Sequence, residues 1–238
     1  MNVTIARLSA QAVLGQRRGI LLGVLPVLLI VLSVVTVALS DGSLAVEPIT
    51  MVFGFGLVLP LIALLVTNGV LGPEIEDGSI IYLLSKPISR YVVVISKCAV
   101  AAVLSVVLGA GSLLLSALLL DISNVGQAVA IGIGSAAAAI GYCGLFVVLA
   151  TLTRHGTIAG LIYVLGFEGL LASWLGGLRY ISVGSFGRRL VSSMTDDLTL
   201  VVRDISLGYA VIALIVVTVG GVGLAGHRLR SFEVRGED

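Results

Sequence analysis

Residues 72–97, GPEIEDGSIIYLLSKPISRYVVVISK, break into the chain with three acids, two lysines, an arginine and two prolines. The flanks are of another kind. Residues 49–71 carry no charge, and residues 91–120 carry only Lys97. Over all 238 residues, 58% are hydrophobic and 11% charged, whereas a soluble domain has about a quarter of its residues charged. Polar side chains are too few to cover a water-facing surface, which places the chain in the membrane class. A patterned polar segment between two such flanks is built to touch something outside the membrane.

A spanning helix needs about 20 mostly apolar residues. Six stretches qualify, at residues 19–40, 49–71, 91–120, 128–152, 156–175 and 205–226. The expected fold is therefore an all-α membrane protein, a single transmembrane domain of six helices. Turn-rich breaks separate the spans, with longer segments at 72–90 and 176–204 and a tail at 227–238. The break at Arg154-His155 is short enough to make spans four and five a tight antiparallel hairpin. Residues 3–18 read as an amphipathic helix lying in the interface, or as a simple extension of span one. The apolar run after Arg17 and Arg18 is too long for the core of a signal peptide, so a cleaved leader is not expected.

Lysine and arginine set the orientation. One side collects Arg7, Arg17, Arg18, Lys86, Arg90, Lys97, Arg154, Arg228, Arg230 and Arg235; the other has only Arg179, Arg188, Arg189 and Arg203. The bias puts both termini and the 72–90 segment in the cytoplasm, with the chain in a cell membrane. Arg17, Arg18 and Lys97 are expected as interface anchors, their long stems reaching to the headgroups. Small residues recur four apart at Ser105/Gly109, Ser112/Ser116, Gly134/Ala138 and Ala137/Gly141, with a glycine group at Gly220, Gly221 and Gly223. Such faces let backbones approach closely, either within the bundle or against a second copy.

Several chemistries find no support. Neither lysine sits in a phosphate-binding G-x-x-x-x-G-K-[ST] loop, there is no H-E-x-x-H, and no basic run exists to grip nucleic acid. His155 and His227 lie at span ends, away from any nucleophile they would activate. Cys98 and Cys143 have no metal-ligand spacing and read as small buried hydrophobes. The chain is not expected to be an enzyme, nor to hold a cofactor or metal of its own. One acid falls inside a span, Glu168. A charge at that depth costs about 2.5–3.5 kcal/mol on insertion scales, so Glu168 is either a paired acid shaping the end of span five or part of a substrate path or gate. Arg179 is a candidate partner.

Within the opening segment, Pro73 suits a first helical turn and Glu74, Glu76 and Asp77 suit its dipole. Ile80, Leu83 and Leu84 share a face, and Pro87 ends the helix near Lys86. This reads as a short helix across the cytoplasmic mouth, its apolar face packed under its own bundle or docked into another protein.

The run Glu74-Ile-Glu76-Asp-Gly78-Ser-Ile80, then Leu83-Leu84-Ser-Lys-Pro87-Ile-Ser-Arg90, then Lys97, resembles the signature of ABC-2 type transporter permeases. The six-span layout is similar too, as are the arginines before span one and the region from Tyr163 to Trp174. Ser79 stands where that family more often has threonine. The resemblance implies a permease subunit without ATPase activity, of the multicopper-enzyme-maturation or multidrug-export kind. It would pair with a separate ATP-binding cassette subunit carrying ATP and magnesium, and with a second permease copy or paralogue. Glu74, Glu76, Gly78, Leu83, Leu84, Pro87 and Arg90 would then couple to the ATPase, and short outer helices in 176–204 would cap the exit. The expected function is ATP-driven movement, most simply export, of a hydrophobic or amphipathic cargo. A rival class is a membrane scaffold that binds a cytoplasmic partner and moves nothing. A secondary transporter predicts an internal inverted repeat, and the two halves of the chain show none.

Overall fold

The computed structural model describes residues 17–39, 42–76, 90–153, 155–171, 176–196, 198 and 204–231. Every regular element among them is helical. Helix α1 (Arg17–Leu39) leads through a 3-10 turn (Gly42–Ala45) into a π-helical stretch, π1 (Pro48–Val58), continuous with α2 (Leu59–Glu76). Helix α3 (Arg90–Ser105), a π turn π2 (Val106–Ala110) and α4 (Gly111–Leu120) form a second composite rod. After it come α5 (Val125–Leu152), then α6 (Gly156–Leu161) running into π3 (Ile162–Leu171). A 3-10 turn (Gly176–Tyr180) and the short α7 (Val183–Ser192) precede the last helix, α8 (Leu207–Ser231).

Five apolar helical stretches are long enough to cross a bilayer: Leu22–Leu39, Gly42–Val70, Val94–Leu120, Val125–Leu152 and Leu207–Arg228. They match five of the six expected spans. Val24, Val27, Val31 and Val34 on α1, and Ile212, Ile215, Val216 and Val219 on α8, face outward. Water does not tolerate aliphatic faces of that extent. Lipid does, provided the backbone satisfies itself as a helix. These are the features of a multi-pass, all-helical membrane protein.

Of the expected fifth span, 156–175, the described residues form an apolar helix over Gly156–Leu170, and residues 172–175 lie outside them. A difference lies at the opening segment. Sequence places a helix start at Pro73, yet α2 runs on through Gly72 and Pro73 to Glu76. A proline's fixed φ is itself helical, so its lack of an N–H weakens a turn without forcing a break. The expected interfacial helix at 3–18 falls almost wholly outside the described residues, as do residues 77–89 and 232–238.

Helix α5 is the hub, packed against α2, α3, α4, α7 and α8. Its small residues make this possible. A Cβ on Gly144 would sit 2.7 Å from the Thr218 Cα of α8, and one on Gly187 of α7 would sit 2.7 Å from the Ala138 Cβ and 2.9 Å from the Gly134 carbonyl oxygen. Ser116 and Ser33 join α4 to α1 through a 2.5 Å hydroxyl pair, and a Cβ on Gly109 would meet Leu59 at 2.8 Å. The paired small residues are therefore spent inside the bundle. Of the glycine group on α8, Gly221 packs against Gly144, while Gly220 and Gly223 face open space.

Candidate functional site

The densest polar cluster gathers where π1, π3 and α7 meet α5. Glu168 stands on π3 and is 6% exposed. Its Oε1 accepts from the Tyr163 hydroxyl (3.2 Å), the Ser182 hydroxyl (3.1 Å) and the Gly184 N–H (3.1 Å). Its Oε2 accepts from the Tyr142 hydroxyl. A carboxylate offers about four lone-pair sites, two on each oxygen, and four donors converge on this one.

The geometry follows from the local fold of α7. Ser182 is the N-cap, extended at φ −80° and ψ 124°, and its Oγ accepts from the Ser185 N–H at 3.1 Å. That leaves the Gly184 N–H among the first-turn donors that a helix cannot satisfy internally. Glu168 reaches across from π3 and supplies the acceptor, at the end of the helix where a negative charge is favoured. Gly184 has to be glycine here, because a Cβ would lie 2.7 Å from the Tyr142 hydroxyl and 3.0 Å from Glu168 Oε2. An aromatic row backs the cluster: Tyr142 stacks on Phe146 (centroids 5.8 Å), Phe146 meets Tyr163 edge-on (6.2 Å), and Tyr163 stacks on Phe167 (5.2 Å).

Two arginines fix the rest of α7. Arg188 Nη1 donates to the Met51 carbonyl of π1 at 3.2 Å, and Arg189 Nε donates to the Ile205 carbonyl just before α8. Tyr209 donates to the Tyr180 carbonyl at 2.9 Å and stacks edge-on with Phe186. Arg179 pairs with Asp204 at 3.9 Å rather than with Glu168. The arrangement is thus a carboxylate cap that holds a short amphipathic helix against two π-helical stretches, π1 and π3. Among the described residues no three His, Cys, Asp or Glu side chains assemble into a metal-ligand set.

Lys97 occupies a second polar place, at the other end of α2. It was expected at the headgroups, but it is 2% exposed and donates from Nζ to the Val70 carbonyl at 3.0 Å. Cys98 and Cys143 are both buried free thiols, and Cys143 Sγ donates to Ser105 Oγ at 3.3 Å. Of the residues assigned to coupling, Glu74 and Glu76 lie in the last turns of α2, and Arg90 opens α3. Gly78, Leu83, Leu84 and Pro87 fall outside the described residues. Arg17 and Arg18 open α1.

Sequence singled out Glu168 and the region beginning at Tyr163, but not its distant partners. Tyr142, Ser182 and Gly184 lie 26, 14 and 16 residues away, beyond the reach of any local pattern. The one legible signal was chemical: a lone acid in a span has to find donors. No protein-family model matches this chain, and none of the curated proteins compared with it matches either.

Proposed function

We propose that this chain is the permease subunit of an ATP-binding cassette exporter of the ABC-2 type. The observation that carries the reading is the run Glu74–Arg90 with Lys97 behind it, joining the second and third apolar rods of a multi-pass helical protein. On this reading α6 and π3 belong to a sixth crossing, the termini are cytoplasmic and the membrane is the cell membrane. Residues 72–90 seat in a groove of the ATPase, which carries ATP and magnesium. Two permeases and two ATPases assemble, and ATP-driven closure of the ATPase pair moves a hydrophobic or amphipathic cargo between the two permeases. Weak charge in the spans favours such a cargo over a small ion. The Glu168 cap fits this reading as a fastener for α7 at the exit end, because four donors of the protein itself already converge on it.

The test is co-expression with an ATP-binding cassette ATPase encoded beside this chain. The pair is expected to co-purify, and the permease to raise ATPase turnover in nanodiscs. Glu74→Ala with Arg90→Ala should abolish that stimulation while leaving membrane insertion intact. Stimulation unchanged by the double substitution refutes the coupling assignment. Co-purification with no cargo-dependent turnover would favour the scaffold reading instead.

A further inference from the structure

We propose that Lys97 ties the proline-weakened end of α2 to the start of α3, so that these two helix ends move as one body. The geometry stands by itself; its purpose rests on the permease reading. Helix α2 continues through Pro73 to Glu76, and Pro73 brings no N–H to the ladder. The carbonyl four residues back, on Gly69, loses its helical donor, and the turn containing Gly69 and Val70 is one rung short. Into this turn comes the Lys97 ammonium, donating to the Val70 carbonyl at 3.0 Å from a residue 27 positions further along the chain.

Three further observations make the contact more than incidental. Lys97 is 2% exposed, and an ammonium withdrawn from water at membrane depth is unfavourable without specific partners. Its chain neighbours Val94 and Cys98 pack with Val147 and Ala225 of α5 and α8, which anchors the start of α3 to the hub of the bundle. Asn68, two residues before Val70, is buried with its Nδ2 unpartnered, so its amide makes no competing tie from this turn to a neighbouring helix. Without Lys97, a push on residues 72–90 would be absorbed by bending at Pro73. With it, the push passes into α3 and from there to α5.

The test is amide hydrogen exchange, read by mass spectrometry, on the full chain in nanodiscs with no partner present. A lost hydrogen bond to a buried charged donor corresponds to a change on the order of tenfold or more. Lys97→Met is expected to speed exchange over residues 70–76 by at least about that factor, with α5 unchanged. Lys97→Arg keeps cationic donors and should retain most of the protection. Pro73→Ala restores the missing N–H, so the double variant Lys97→Met/Pro73→Ala should return to near wild-type exchange. Wild-type exchange in Lys97→Met overturns the tie, and so does a uniform rise across α5 and α8 that Pro73→Ala fails to suppress. If Lys97→Met cannot be purified folded, the double variant decides: rescue by Pro73→Ala supports the tie, and failure of both overturns it. In complex with the ATPase, Lys97→Met should still bind but lose most of the stimulation. If exchange rises while stimulation persists, the transmission role is overturned. If the wild-type chain neither binds nor stimulates an ATPase, the permease reading falls, and the exchange experiment still judges the tie.

Discussion

Three neighbouring glycines on α8 are expected to respond very differently to the same added methyl group. A Cβ on Gly221 would lie 2.7 Å from the Gly144 carbonyl carbon and 3.1 Å from the Gly144 Cα, whereas Cβ atoms on Gly220 and Gly223 meet nothing within 4 Å. Carbon atoms in good contact sit about 3.5–4.0 Å apart, so Gly221→Ala overlaps backbone by roughly 1 Å. Backbone cannot rotate away as a side chain can, and α8 must back off from α5. A gap of about 0.5–1 Å forfeits a quarter to a half of the contact energy along that seam, and overpacking of this kind typically costs about 1–3 kcal/mol. The gain in helix propensity, about 0.8–1 kcal/mol per glycine replaced, is common to all three variants and cancels in their comparison. Gly221→Ala should therefore melt below Gly220→Ala and Gly223→Ala by roughly 2–12 °C, taking about 2–4 °C per kcal/mol at this chain length. Cys98 and Cys143 are buried free thiols, so a thiol-reactive fluorophore in detergent reports unfolding with no added label. If Gly221→Ala melts with or above the other two, the close crossing of α5 and α8 is refuted.

The Glu168 cluster should distinguish shape from acceptor capacity. Glu168→Ala strands four buried donors and is expected to cost at least about 3 kcal/mol. Glu168→Gln, with its amide nitrogen toward Tyr142, keeps an oxygen for the other three donors and should cost about 1–2 kcal/mol. Equal damage from the two in the same melting assay would show that the carboxylate is not the cap of α7. Across the α1–α4 contact, Ser33 and Ser116 touch hydroxyl to hydroxyl. A double-mutant cycle to alanine should give a coupling energy of about 0.6 kcal/mol, up to about 1.7, the range for hydrogen bonds between membrane helices. A coupling indistinguishable from zero would remove that bond from the account of how α1 is held.

Much of the architecture was legible because a bilayer imposes a length and a composition on whatever crosses it. The boundaries of α1, α3–α4, α5 and α8 follow from where apolar runs start and stop. Gly134, Ala138 and Gly141 announced close packing by their spacing, since only small residues let helix axes approach. Within the expected fifth span the chain winds as α6 and then as π3, a change of helix type that continuous apolarity does not encode. The run past Pro73 was not legible either, because a proline weakens a turn without forcing a break.

Sequence alone determined that this chain is a helical membrane protein, with one polar segment of distinctive pattern and one acid in an apolar stretch. Only tertiary structure decided what Lys97, Glu168 and the glycines do. A buried charge takes its role from the donors and acceptors within about 3 Å of it, and apart from Tyr163, five residues from Glu168, those come from residues 14 to 27 positions away along the chain. Gly221 differs from Gly220 only in which side of α8 it faces, and that side was fixed when α5 and α8 came together.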